Sequence, residues 1–449
     1  MRTIPPGTGR TAGVAGMGRS GAAAASLLSS RGYRVIGFDS SPQAVPTEHM
    51  ARLFTGEPRE EQLRSLDFIA ASPGIPLSAP IYTMARVLNI QVVPEVELGC
   101  AAVSGEILGV TGSNGKTTTV EWLAHVLRGA DGYSGSVASG NNGYAMCTAA
   151  MENPDSPAFA LELSSYQLEA IQDLRPVSAA VLNLTPDHLE RHGSMENYAA
   201  AKARIFLNQL PDDTGVLNGD DPLLRPMEKQ VKGNLLTFSM KRQVERGAWL
   251  TPQGEIMTRI TGKDEHLLHA GELGIPGAHN VANALAVACM ALSRGITKEE
   301  TANGLRTFRG VPHRIEPLGT AAGLNWVNDS KSTNVDSLKV ALESFSSPVI
   351  LLAGGLAKES DYSVLSQLIA ERVKFAVLFG SAGDSLARQW SGAARLIRET
   401  DLQEAVNAVL REASPGDTVL LSPGCASFDQ YSNFEERGEH FRRIVEGLR

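Results

Sequence analysis

The stretch E-I-L-G-V-T-G-S-N-G-K-T-T-T-V-E-W-L-A-H-V-L at residues 106–127 decides how the rest of the chain is read. Residues 106–111 form an apolar run of strand length, and 117–127 carry the spacing of a helix. Between them Gly112, Ser113, Asn114, Gly115, Lys116, Thr117 and Thr118 make a turn. Glycines let the backbone curl until several N–H groups face one point, and the helix start adds partial positive charge there. Lys116 is then placed to reach the β- and γ-phosphates of a nucleotide, and the Thr117 hydroxyl to bind Mg²⁺. The loop is a variant of G-x-x-x-x-G-K-[ST], because Val110 stands where the first glycine belongs. A strand–helix turn with no ligand is the plain alternative. Even a true phosphate loop does not choose between switch, kinase and ligase chemistry.

Upstream, G-M-G-R-S-G at 16–21 follows an apolar run at 11–15 and opens an alanine-rich helical pattern at 20–30. This is G-x-G-x-x-G, and Asp39 ends the next apolar run about 20 residues on, the spacing of a dinucleotide-binding turn. Spacing leaves three readings open: NAD or FAD, a tight turn with no ligand, or another diphosphate-bearing molecule such as a nucleotide sugar.

Downstream, Glu162 ends the apolar run of L-E-L-S-S, His188 follows another in T-P-D-H, and Lys202 sits on the helical pattern after it. In a parallel sheet, strand ends beside the phosphate loop face one crevice, which places Glu162 to hold Mg²⁺ with Thr117. Each has a plainer reading: a helix cap for Glu162, a surface histidine for His188, a solvated charge for Lys202. His188 and His192 have zinc-like spacing, but Leu189 stands where H-E-x-x-H needs glutamate.

With 449 residues, 43% hydrophobic and 20% charged, the chain reads as a soluble globular protein of about three domains. The formal charge of −8 comes without a basic stripe, so no nucleic-acid partner is expected. Cys100, Cys147, Cys289 and Cys425 lie far apart, which suits four buried thiols in a reducing cytoplasm. No apolar run is long enough to insert in a membrane.

Alternating strand and helix patterns give an α/β fold with parallel sheets. The first unit is 1–98, the second 99–310 and the third 311–449, the last a doubly wound pattern with strands at 325–328, 349–352, 375–379 and 418–421. Residues 214–262 suggest a small antiparallel addition.

Taken together these motifs, with A-S-P-G-I at 71–75, S-G-N-N-G at 139–143, G-A-H-N-V-A-N-A at 277–284, P-H-R-I-E at 312–316, N-D-S-K-S-T-N at 328–334 and S-P-G-C-A-S-F-D-Q-Y at 422–431, resemble the Mur ligase family over nearly the whole chain. The last two segments resemble its D-glutamate-adding branch. The resemblance implies a Rossmann-like UDP-binding domain, a central phosphate-loop ATPase domain and a C-terminal Rossmann-like domain. It implies that a monomer uses ATP and two Mg²⁺ to join D-glutamate to UDP-N-acetylmuramoyl-L-alanine through an acyl phosphate.

The same resemblance implies roles for residues. Arg19, Ser20, Asp39, Ser40, Gly74, Asn141 and His188 would meet the UDP-substrate. Thr117, Glu162, His188 and a carbamylated Lys202 would hold the metal ions, with Asp187 supporting His188. Asn280, Asn283, His313, Arg314, Asp329 and Lys331 would complete the ATP site, and Thr333, Lys358, Ser427 and Phe434 the D-glutamate site. The rivals are another amide ligase, a nicotinamide oxidoreductase and a phosphate-loop switch.

Overall fold

The computed structural model describes residues 4–187, 189–345, 347–356 and 361–449. The chain forms two compact units, Met1–Arg309 and Gly310–Arg449. Three sheets give them a three-domain α/β architecture, two sheets in the first unit and one in the second.

The first sheet has five parallel strands in the order Arg52–Thr55, Arg34–Asp39, Thr11–Ala15, Phe68–Ala71, Gln91–Pro94. The chain starts at the centre, winds to one edge and returns to the other side. That reversal opens a crevice beyond Ala15 and Ala71, where ligands of doubly wound sheets gather. Helix Arg19–Ser30 follows the first turn and buries Ala23, Ala24, Ala25, Leu27 and Leu28. Small alanines let it lie close to the sheet.

The second sheet has nine strands, ordered Glu265–His269, Glu255–Arg259, Gly247–Leu250, Asn234–Ser239, Thr214–Asn218, Ser178–Val181, Glu106–Thr111, Ala158–Glu162, Val137–Gly140. Strands buried on both faces read as continuous apolar runs. Leu108, Val110, Leu161, Ala180 and Val181 are all wholly buried. The expected antiparallel addition at 214–262 is smaller than the sequence suggested. Thr214–Asn218, Asn234–Ser239 and Gly247–Leu250 pair parallel and extend the main sheet. Only Glu255–Arg259 and Glu265–His269 add antiparallel strands. Helix Ala278–Ser293 packs against the three parallel strands and gives them their apolar cover.

The second unit holds six strands, ordered Glu316–Ala321, Leu324–Asn328, Thr418–Gly424, Val349–Gly354, Val373–Phe379, Leu396–Arg398, parallel except for the first pair. The four strands expected here appear, each longer than its apolar run. Of the four thiols, Cys147, Cys289 and Cys425 are buried, whereas Cys100 is half-buried. No helix of the described residues is long and apolar enough to cross a membrane.

Candidate active site

Sheet register builds the central site. Val110 pairs with Glu162, Gly140 with Glu162, and Thr111 with Val181. Four strand ends therefore finish level with one another. The loop 112–115 rises from strand Glu106–Thr111 and enters helix Lys116–Arg128. Gly115 has φ +84°, and a Cβ there would stand 2.6 Å from Asn283 Oδ1, so helix Ala278–Ser293 presses directly on the loop. Asn183 staples the other side: its Oδ1 accepts the Asn114 N–H at 2.8 Å, and its carbonyl accepts the Ser113 N–H at 2.9 Å. Sequence reading missed Asn183, because an asparagine after a strand carries no signature.

At the head of the helix the Thr117 hydroxyl donates to Glu162 Oε2 at 2.7 Å, and Asn141 Nδ2 donates to Glu162 Oε1 at 3.0 Å. Thr117 is 6% and Glu162 3% exposed. Lys116 Nζ donates to the carbonyls of Gly112 at 2.9 Å and Ser113 at 2.8 Å. Lys202 Nζ reaches the same Gly112 carbonyl at 2.9 Å and Thr111 Oγ1 at 3.4 Å, 4.6 Å from the Tyr198 ring centroid. Lys202 is 1% exposed. Burial pushes its ammonium down to about 7, and the Lys116 charge adds to this against the opposing pull of Asp187 and Glu162. An amine that titrates near neutrality is a nucleophile in a large fraction of molecules.

A hydroxyl and a carboxylate with oxygens 2.7 Å apart form a hard donor pair. They suit Mg²⁺ completed by phosphate and water oxygens. Among the described residues no group of three or more His, Cys, Asp or Glu gathers. His188 lies outside the described residues. His192 is buried, with Nε2 3.0 Å from Ser165 Oγ.

The first glycine turn is closed differently. Gly16 has φ +81°, and a Cβ on Gly21 would stand 1.8 Å from the Gly16 carbonyl oxygen. Asp39 Oδ2 accepts the Met17 N–H at 2.6 Å and Oδ1 accepts the Ser41 N–H at 2.8 Å. Arg19 crosses to the central domain, donating to the Gly143 carbonyl at 2.8 Å. Ser20 lies in the first turn of helix Arg19–Ser30, and Ser40 is exposed just past Asp39. Gly74 follows strand Phe68–Ala71 in the neighbouring loop. Arg19, Ser20, Asp39, Ser40 and Gly74 therefore lie at the same sheet end, with Asn141 at the Glu162 side.

In the second unit, Asp329, Lys331, Thr333, Ser427 and Phe434 share one loop cluster at the carboxyl ends of the strands. Gly424 N–H donates to the Ser332 carbonyl at 2.9 Å, Ser330 Oγ to the Phe434 carbonyl at 2.8 Å, and Lys331 Nζ lies 5.8 Å from the Phe434 ring. Asp329 is turned inward: Oδ2 accepts from Ser422 Oγ at 2.7 Å and Oδ1 from Ile315 N–H at 3.1 Å. Burial lifts its carboxyl to about 7, partly offset by the Ser422 bond. His313, at φ +61°, is 8% exposed, and its Nδ1 lies 3.0 Å from Asn328 Nδ2. Arg314 follows it in the same turn, half-buried. Lys358 lies outside the described residues. Sequence reading also missed Arg437, which reads as a solvated helix charge. It is 0% exposed and donates to the carbonyls of Ser330 at 2.9 Å and Cys425 at 3.1 Å, tying two of these loops together.

With this geometry in hand, the likeness to known proteins is consistent along the chain. Residues 10–94 match the Mur ligase MurD-like N-terminal domain, 110–291 the Mur ligase middle domain and 313–425 the Mur ligase glutamate ligase domain. The chain is 38% identical over 439 residues to the UDP-N-acetylmuramoylalanine–D-glutamate ligase of Koribacter versatilis, covering 96% of each. It is 39% identical over 441 residues to the enzyme of that name from Acidobacterium capsulatum, covering 96% of this chain and 95% of that one. Among solved structures, the UDP-N-acetylmuramate-alanine ligase MurC of Thermotoga maritima superposes with a TM-score of 0.57 at 19% identity, covering 98% of this chain and 100% of that one, and so shares the fold. Identity at this level over almost the full length, with every domain matched in order, means that the chain belongs to the Mur ligase family.

Proposed function

We propose that this chain joins D-glutamate to UDP-N-acetylmuramoyl-L-alanine at the expense of ATP, as a monomer in the cytoplasm. The carrying observation is the hydrogen-bonded line Thr117–Glu162–Asn141, its first two members buried, at the head of a lysine-bearing phosphate loop. The fold and the named relatives supply the acceptor and donor.

The chemistry runs in two steps. A carboxylate oxygen of the donor attacks the γ-phosphorus, the bond to the β-phosphate oxygen breaks, and ADP leaves. The D-glutamate nitrogen then attacks the carbonyl carbon of the acyl phosphate. The carbon–oxygen bond to phosphate breaks, and the nitrogen loses a proton. Two anions meet in the first step, so charge compensation is the main catalytic demand. Thr117 and Glu162 would hold one Mg²⁺, and His188 and Lys202 a second, and these ions would supply part of that compensation. Lys116 would turn from its loop carbonyls to the β/γ-phosphates. Lys202, buried and titrating near neutrality, is suited to add CO₂ and become a carbamate, exchanging a cation for an oxygen ligand. Asn141 orients Glu162 and faces the donor. Arg19, Ser20, Asp39, Ser40 and Gly74 hold the UDP end. Asn280, Asn283, His313, Arg314, Asp329 and Lys331 serve ATP, and Thr333, Lys358, Ser427 and Phe434 serve D-glutamate. The domains of this assignment are 1–98, 99–310 and 311–449.

Phosphate release with ATP, Mg²⁺ and UDP-N-acetylmuramoyl-L-alanine, with and without D-glutamate, tests the proposal. Sustained release that needs both substrates, and that L-glutamate or L-alanine does not support, is expected. Release independent of the donor would sink it.

A further inference from the structure

Arg191 lies just past His188 on the short helix Leu189–His192. Its Nη1 donates to the Gly74 carbonyl at 3.3 Å and its Nη2 to the Ile75 carbonyl at 3.4 Å. Nη2 also pairs with Glu169 Oε1, and Cζ stands 4.1 Å from the Tyr166 ring centroid. The side chain is 16% exposed. Tyr166 and Glu169 both belong to helix Ser165–Ala170, which starts shortly after Glu162. Gly74 and Ile75 belong to the loop leaving strand Phe68–Ala71, and Ser72 of that loop donates from Oγ to the Gly16 carbonyl at 2.9 Å. One side chain therefore joins the first glycine turn to the two strand exits flanking the phosphate loop.

A guanidinium suits this place because it is planar, offers several donors in a fixed fork and stacks on an aromatic face while doing so. Glu169 and Tyr166 fix the plane from the central domain, and the fork grips the other domain by backbone carbonyls, which no side-chain rotation can withdraw.

We propose that Arg191 is a positioning residue that sets the distance between the donor-holding loop of the first domain and the phosphoryl-transfer centre of the second. The inference rests on the function proposed above, in which the UDP-sugar is gripped at its nucleotide end by the first sheet and reacts at its carboxyl end beside Glu162. A ligand held at one end and reacting at the other needs its two supports in fixed register, since a misplacement of about 1 Å costs on the order of 10²-fold in rate. Arg191 acts through the Gly74–Ile75 carbonyls and does not itself bond the substrate.

The test compares wild type, R191Q and E169Q in kcat, in KM for each of the three substrates, in calorimetric binding of UDP-N-acetylmuramoyl-L-alanine, and in Tm. R191Q is expected to lower kcat about 10- to 100-fold while KM for ATP and D-glutamate and the affinity for the donor stay unchanged. E169Q, which keeps the guanidinium but loosens its anchor, is expected to fall between R191Q and wild type. An R191Q kcat equal to wild type, or a rise in the ATP KM that accounts for the whole loss, would overturn the inference. If R191Q fails to fold, E169Q decides: a reduced kcat at unchanged Tm supports the role, and an unchanged kcat overturns it. An inactive wild type would instead count against the proposed function.

Discussion

The turn at 16–21 and the turn at 112–117 both leave the end of a buried parallel strand, both use a glycine at positive φ, and both lead into a helix. They differ in what the chain itself places over them. In the first, a carboxylate is brought back from the next strand, and Asp39 takes the N–H groups of Met17 and Ser41. In the second, two amines converge on the Gly112 carbonyl while Thr117 meets Glu162. One turn carries an internal carboxylate on its own N–H groups, whereas the other gathers two ammonium groups beside the Thr117–Glu162 pair. The glycine spacing specifies a curl of backbone; the side chains that reach back over it decide the chemistry.

The largest effect should come from removing the cation at the second turn. Lys116→Ala is expected to lower ATP-dependent ligation by at least about 10³-fold, about 4 kcal/mol of transition-state stabilisation. The UDP-substrate should still bind, because it rests on the first turn. Steady-state phosphate release and calorimetry measure the two halves separately. A variant that lost donor binding along with turnover would erase the distinction between the two turns.

Much of this contrast is legible in the sequence. Strands 11–15 and 106–111 stand where the apolar runs placed them, because buried strands must be apolar, and helix 402–412 stands where the helical spacing of its apolar residues placed it. The Thr117–Glu162 meeting follows from parallel pairing alone. The distant partners were not legible. Asn183, Arg191 and Arg437 look like ordinary polar residues, and only the fold reveals that each ends on backbone groups of another segment. The short strands Arg52–Thr55 and Gln91–Pro94 were missed because edge positions lack a continuous apolar run. Asp329, which the resemblance assigns to the ATP site, has both oxygens engaged by Ser422 and Ile315. A carboxylate just after a strand reads alike whether it points out or in.

A second prediction concerns the amine that has no counterpart at the first turn. Lys202 titrates at about 7 in the fold and at 10.5 when unperturbed. Between these values the unfolded chain binds the proton that the folded one refuses, so stability rises with pH across this window and the penalty is fully present below about 7. Chemical unfolding in bicarbonate-free buffer should show Lys202 contributing roughly 2 kcal/mol of added stability between about pH 7 and pH 9. Lys202→Met should flatten that slope. Identical slopes in the two proteins would mean that the ammonium is accommodated inside the crevice, and that the second turn tolerates more positive charge than its geometry suggests.

The smallest effect expected is at the first turn, and it tests whether the internal carboxylate serves the ligand or only the loop. Asp39→Asn keeps the shape and one acceptor oxygen, but the amide nitrogen would face either the Met17 or the Ser41 N–H, donor against donor. One backbone bond is lost and the charge with it, a change of about 1.4 kcal/mol or about tenfold in donor affinity. The KM for UDP-N-acetylmuramoyl-L-alanine should therefore rise about tenfold with the ATP KM unchanged, the mirror image of Lys116→Ala. Because Asp39 bonds backbone on both sides of the turn, a drop in Tm with normal donor affinity would assign it to the loop alone. Titrating the wild type with NADH closes the remaining alternative: a carboxylate already spent on Met17 and Ser41 has less capacity for a ribose, so no binding is expected, and saturable binding would return the first turn to the dinucleotide class.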